Sequence, residues 1–568
     1  MGRKDEDVEV VDRKKNLPAE GSPPVIAGLH ALSGRDLLNG LLDRESPGEI
    51  VRGLSCEDFY WALKRIGEDD CLPLLALASE EQWQFMLDLE LWKEDRLDNL
   101  KSFQWISRLR QADILRLARW LLSEGQALGY IYLFRNLQVE VNTDEEPLLD
   151  LQDGFMTLDG VYYFRPLDRK QSPEFESLLR GMAAEDLLRF QGVLSGLAGL
   201  IPAEAEEEMY RIRNVRLAEH GFLPREEALS VYTPLPPSAA VRGADKSHRT
   251  AEPDPEFVRE AAVAPLMMAP AAGLFSEVAF SIDDPVLLDR MRLEFSGLCN
   301  LIMSADGVIP EDVKDLEKVC RRAAGYLNVA LEYLCGESIP LAKMQVRDTA
   351  LLTLFRIGFG LTVELGRRAR GWIKDSWYSA CGLSHRFWGD QWGENLRGIL
   401  QSRGHYPSGA GDEGDFRGFR NIRELNESES ILKRIIALDC LLGELFPVVD
   451  FKSSIIPGCE ITVQAVLITS WARKCLGGEF AFSPVSPEEA GRFLAMLKGV
   501  VSGKGTMGTA RRNQFISFFL ERSSGVLKSC EGLEEALADV WTDFYDEYRD
   551  VRVEDPDPRF SRLLVIES

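Results

Sequence analysis

Histidine is scarce in this chain of 568 residues: five occur, at 30, 220, 248, 385 and 405, and none forms an HExxH pair. A zinc hydrolase of that class is thereby excluded. The ten cysteines, at 56, 71, 299, 320, 335, 381, 440, 459, 475 and 530, nowhere stand as the close CxxC pairs of zinc or dithiol sites. They read as buried small apolar residues. No apolar run is long enough for a bilayer span, because the longest uncharged stretch, Ala261–Ser276, is short and contains Pro265 and Pro270. The first residues, MGRKDEDVEVVDRKKN, are charged and lack the apolar core of a signal peptide. Positive charge is also in deficit: 66 Lys and Arg face 91 Asp and Glu, a net charge of -25 that repels a phosphate backbone. The chain is therefore expected to be cytoplasmic, with no membrane insertion, no nucleic-acid partner, no metal and no cofactor.

What the sequence does hold is a succession of short helix units between Ser46 and Leu91, SPGEIVRGL, SCEDFYWALKRI, EDDCLPLLALA and SEEQWQFMLDLEL. Ser46 with Glu49, Ser55 with Asp58 and Ser79 with Gln82 fit the capping box, in which a serine accepts an orphan amide and an acid or amide reaches back. Pro47 suits the first helical position. Phe59, Ala62, Leu63 and Ile66 share one face, as do Trp83, Met86, Leu87 and Leu91, and units this short cannot bury such faces alone. Stacking is expected, and stacked helix pairs commonly hold other proteins.

The expected fold is mainly α, an irregular helical-repeat first half and a helical-bundle second half, with one small β-hairpin near 155–164. The hairpin rests on Asp159-Gly160 within GFMTLDGVYYFRP, flanked by β-prone residues. The expected organisation is a disordered charged tail over 1–24, a helical-repeat domain with the hairpin over 25–232, and a Pro-rich linker over 233–256. A helical domain over 257–403, a Gly-rich loop over 404–420 and a C-terminal bundle over 421–568 follow.

Several motifs invite chemistry. Gly503 to Gly508 match GxGxxG, but the match follows the SPEEAGRFLAML helix rather than a strand, so Gly503 is expected to be that helix's left-handed cap. SADGVIPED resembles the end of a calcium loop, yet Ile302, Ser304 and Val313 would occupy ligand positions. Asp306-Gly307 is read instead as a turn, with Pro310 opening the next helix. Ser384, His385 and Asp390 suggest a triad without the GxSxG elbow, among aromatics expected to anchor loops or mark an interface. No catalytic residue is assigned. Two groups remain as candidates for a ligand or partner. Arg356 and Glu364 lie with Thr349, Thr353 and Gly360 on one stripe of an apolar helix, where desolvated charge could orient a substrate. Arg213 and Arg216, in YRIRNVRLAEHGF, carry forked donors that suit carboxylates or phosphates.

DFYWALKRIGEDDCLPLLALASEEQWQFMLDLELWKEDRLD, the DGVYYF hairpin and YRIRNVRLAEHGFLPREEAL resemble a family of uncharacterised bacterial proteins defined as a domain of unknown function. That resemblance implies no site residues. The Ser46–Leu91 array is similar in style to the soluble helical domain of some magnesium transporters, which would imply sensing of a divalent ion. The expected function is a protein-interaction or regulatory scaffold with an unidentified protein partner, its aromatic loops exposed. The alternative is an all-helical enzyme or small-ligand sensor using the Arg356 and Glu364 stripe.

Overall fold

The computed structural model describes residues 32–142, 154–197, 201–242, 262–308, 310–409, 414–454, 461–499, 509–524, 531–553, 558 and 561–567. The fold is mainly α. Contacts divide it into two units: the first holds 1–233, 242–324 and 339–352, the second 234–241, 325–338 and 353–568. No single helix among the described residues is long and apolar enough to cross a membrane.

In the first unit the array forms as Pro47–Arg52, Cys56–Ile66, Leu72–Leu77 and Glu80–Glu90. Its caps are uneven. Ser79 and Gln82 make the full reciprocal box, and Ser55 accepts the Asp58 amide at 3.0 Å. Ser46 makes no side-chain cap, because its backbone has left the extended geometry that aims the hydroxyl at the first turn. Asp58 does not reach back to Ser55. Its carboxylate instead accepts the Val263 and Ala264 amides at 2.8–3.0 Å, and the side chain is 1% exposed. Gln82 likewise does a second job, donating to the Val51 and Leu54 carbonyls at 2.8 and 2.9 Å. The Gln82 bonds tie Glu80–Glu90 back to Pro47–Arg52 and the residue pair after it, and the Asp58 bonds tie the array to the segment at Val263.

The hairpin is present but belongs to a three-stranded antiparallel sheet. Tyr162–Pro166 is central, paired with Met156–Thr157 on one side and Leu137–Val141 on the other. The turn is longer than the two-residue type that Asp-Gly suggests. Gly160 alone of the pair has a positive φ, +74°, while the Asp159 carboxylate accepts the Val161 and Tyr162 amides, both at 2.9 Å. Aspartate here acts as a side-chain turn former.

At Asp306-Gly307 the expected turn is found, Gly307 capping Pro285–Asp306 in the left-handed region at φ +65°. The following helix begins at Val313 rather than at Pro310. Asp306 accepts the Tyr232 hydroxyl at 3.1 Å and pairs with Arg322, an organic salt bridge where the calcium-loop reading would put an ion.

In the second unit the core gathers around Ile422–Leu445, Val463–Cys475 and Leu533–Tyr548. The aromatics from Trp377 to Trp392, expected either to anchor loops to a core or to be exposed at an interface, are inside: Trp388 is 0% exposed and Phe387 1%. Such large rings are stable inside when their polar tips find partners, although the Trp388 indole N–H has none among the described residues. The Trp377 indole donates to the Phe446 carbonyl at 2.7 Å, and buried Asp439 accepts the Trp372 indole and the Tyr378 amide at 3.0 and 2.7 Å. The SPEEAGRFLAML helix spans Pro487–Lys498, with the capping box of Ser486 and Glu489 formed. Its left-handed cap is Gly499, at φ +59°, not Gly503. The GxGxxG residues and the tail over 1–24 lie outside the described residues, as does most of the expected linker.

Candidate functional site

The second unit carries an open cleft of about 1360 Å³ bordered by the helices Gly389–Ile399, Ile422–Leu445, Val463–Cys475 and Leu533–Tyr548. Amphipathic spacing builds its acidic wall. Along Leu533–Tyr548 the residues Val540, Trp541 and Phe544 turn into the core, which leaves Asp539, Asp543, Asp546 and Glu547 lining the cleft. Each of these carboxylates has a different partner. Asp539 accepts Arg434 Nη1 at 2.6 Å. Asp546 accepts Arg549 Nη1 at 3.2 Å. Glu547 accepts the Arg562 and Leu563 amides at 2.9 and 3.2 Å. Among the described residues Asp543 accepts only the neutral Gln464 side chain, Nε2 to Oδ2 at 3.0 Å. Asp390, at the start of Gly389–Ile399, has no side-chain hydrogen bond or ion pair among the described residues.

Gln464 stands in the first turn of Val463–Cys475, a helix capped by the Thr462 hydroxyl. It is 8% exposed, and its amide oxygen Oε1 has no hydrogen-bond partner among the described residues. A buried acceptor without a donor costs about 1–3 kcal/mol. Burial holds the Asp543 carboxyl above its ordinary range; the Gln464 hydrogen bond pulls it back, and Asp539, Asp546 and Glu547 push it further up. Asp539 is raised by burial against the opposing Arg434 charge. Among the described residues no three His, Cys, Asp or Glu side chains converge as metal ligands do. The acids are strung along a wall, an arrangement that accepts several separate hydrogen-bond donors rather than one ion.

His385 and Asp390 both line this cleft, but they are not partners. The carboxylate beside His385 Nε2 is Glu394, 3.7 Å away, which also accepts Arg397 at 2.9 Å. Among the described residues no nucleophile, base and orienting acid stand in a row there.

Arg213 and Arg216 are brought together, on one acceptor. Arg216 grips the Asp88 carboxylate with Nε and Nη2 at 2.7 and 2.8 Å, while Arg213 Nε donates to the Asp88 carbonyl at 2.6 Å and its guanidinium lies over Trp92. The forked geometry that suggested a partner's anion clamps Pro202–Glu219 to Glu80–Glu90. Arg356 and Glu364 are not brought together. Glu364 is exposed and pairs with Arg367. The stripe between them is covered by the protein's own chain: the Arg356 carbonyl accepts the Leu235 amide at 3.1 Å, and a Cβ at Gly360 would lie 2.5 Å from the Leu235 carbonyl oxygen. Only glycine admits that approach.

The sequence reading did not single out Asp543, Asp539 or Gln464. The signals were present: three aspartates at helical spacing in EEALADVWTDFYDEY, and one amide inside the apolar run VQAVLI. No curated protein and no solved structure matches the chain, so the likeness of Ser46–Leu91 to the magnesium transporters' soluble domain gains no support. One family profile does match, over residues 23–567 and with the description "Family of unknown function (DUF6178)". The chain belongs to that family.

Proposed function

We propose that this protein is an interaction scaffold that receives a Lys- or Arg-bearing segment of a protein partner in the cleft of its second unit. The observation that carries the reading is the acidic wall of Leu533–Tyr548 facing an open space of about 1360 Å³. Small-molecule pockets run to about 300–1,000 Å³ and bury most of their ligand, so this cleft is both larger and more open than such a ligand needs. An extended basic segment supplies the complementary charge and the length. The alternative of a ligand sensor on the Arg356 stripe is disfavoured by the Leu235 segment that covers it.

Site-directed photo-crosslinking tests the reading in the native cell. A photoreactive residue replaces Thr542, which lines the cleft, and another replaces exposed Leu188 in the first unit as control. The Thr542 position should capture a peptide rich in Lys and Arg. Capture of acidic or apolar peptides, or the same peptides at both positions, would overturn it.

A further inference from the structure

In the first unit, Pro285–Asp306 and Val313–Cys335 follow one another in the chain through the Gly307 turn. The first of these helices anchors the array: the Ser296 hydroxyl and the Asn300 amide both donate to the buried carboxylate of Glu57, on Cys56–Ile66. Arg322, on the second, pairs with Asp306 at the turn. Besides these polar ties, the two helices bring two cysteines together. Cys299 and Cys320 are thiols, each 0% exposed, and their sulfurs lie 3.8 Å apart.

A buried cysteine packs like any small apolar residue. Two whose sulfurs already touch have a further chemistry open to them, because a disulfide needs only that the 3.8 Å close to about 2.0 Å. Rotation about the Cα–Cβ bonds moves each sulfur while the helix backbones stay in place. The two positions are 21 residues apart and span the Gly307 turn, so the bond would fix this helical hairpin as one piece.

Burial also sets the pace of the reaction. It pushes the Cys299 thiol up, and the contact with Cys320 and the charge of Glu57 push it the same way. The thiolate is the nucleophile, so oxidation here is slower than at an exposed cysteine. A bulky disulfide has no path to an interior sulfur. A peroxide little larger than water reaches one through local opening of the fold.

We propose that Cys299 and Cys320 are a peroxide-responsive thiol pair, whose oxidation to a disulfide locks Pro285–Asp306 to Val313–Cys335 beneath the array. One thiolate attacks hydrogen peroxide and breaks its O–O bond; its sulfur becomes a sulfenic acid, and the departing hydroxide leaves as water with the proton that the thiol gave up. The second thiol attacks that sulfur, the S–S bond forms, and the sulfenic oxygen leaves as a second water with the second thiol's proton. Two thiols and one peroxide give one disulfide and two waters, sulfur being oxidised and peroxide oxygen reduced. A dithiol reductant reverses the bond by exchange.

Peptide mapping of the full, folded chain after hydrogen peroxide, with the remaining thiols then alkylated in urea, tests the proposal. The expected product is a peptide pair joined through Cys299 and Cys320 and lighter by two hydrogens, with exposed Cys440 as the reference for dose. Both thiols still alkylated after Cys440 is consumed would overturn it, as would sulfinic or sulfonic acid at either position or a bond from either to another cysteine. Formation of the same bond as readily in urea would also overturn it, since sequence separation and not the fold would then pair them. The joined chain should show a midpoint several degrees higher for thermal unfolding of the first unit, because the bond closes a loop in the unfolded chain, and dithiothreitol should return it. Cys320→Ala should keep one midpoint before and after peroxide. A joined chain with no reversible rise would overturn the lock, and an equal rise in Cys320→Ala would overturn the pair. The mapping uses the wild type alone, so it decides the question whatever the variant does to the core.

Discussion

The first unit buries carboxylates against internal donors, whereas the cleft of the second unit leaves carboxylates exposed. In the first, Asp58 and Asp88 are each matched inside the fold, Asp58 by two backbone amides and Asp88 by a bidentate arginine. Glu57 accepts the Ser296 hydroxyl and the Asn300 amide, and Glu90 takes Tyr60 at 2.7 Å and Lys64 at 2.5 Å. In the second, a cleft keeps Asp543 and Asp390 without a cation. Carboxylates of the first kind hold helices in register, and removing one strands its partners. Carboxylates of the second kind have no internal cation among the described residues, so their loss should be felt in binding more than in folding.

The largest expected effect is at Asp58. Asp58→Ala leaves the Val263 and Ala264 amides without their acceptor, and should cost about 3–4 kcal/mol in the urea unfolding of the first unit. Arg216→Ala comes next, at about 2 kcal/mol, because the Asp88 it abandons is 4% exposed while the arginine itself is partly solvated. Ser79→Ala should lose about 1 kcal/mol and Ser46→Ala almost nothing, since only Ser79 makes its cap. Asp543→Asn should change unfolding by less than about 0.5 kcal/mol. A large loss of stability in that variant would erase the contrast between the units.

Acid sharpens the same contrast. The Asp543 carboxyl is raised above the ordinary aspartate range, chiefly by desolvation. On acidification it therefore takes up a proton before an ordinary aspartate does, and affinity for a basic peptide should fall at a pH where unperturbed aspartates are still ionised. The folded state binds that proton more tightly than the unfolded state, so within this window Asp543 adds stability as the pH falls. Loss of peptide binding without unfolding, followed by fluorescence and circular dichroism on one sample, checks both signs. In Asp543→Asn the early fall in affinity should be absent.

Local signals carried the fold. The serine caps at Ser55 and Ser79, the Gly307 turn and the apolar faces of the array are written in neighbouring residues and reappear in the structure, while the Ser46 cap does not. Long-range destinations were not legible. Asp58 looks like a box partner of Ser55, but it finds amides 205 and 206 residues away. Trp377 and Trp388 sit among glycines and polar residues, which suggested loops, and only the acceptors at Phe446 and Asp439 explain how that segment enters the core. The Arg216 fork meets a carboxylate of its own chain, Asp88, which lies on another helix and which no local spacing points to. The cleft was hidden for the same reason: Asp390, Gln464 and Asp543 come from three separate helices, and no spacing relates them.

Hydrogen–deuterium exchange of the full chain, with and without saturating hexa-arginine, tests the central claim most directly. The account predicts added protection in Gly389–Ile399, Val463–Cys475 and Leu533–Tyr548, with Cys56–Ile66 and Glu80–Glu90 unchanged. Protection confined to the array, or spread evenly over both units, would contradict it.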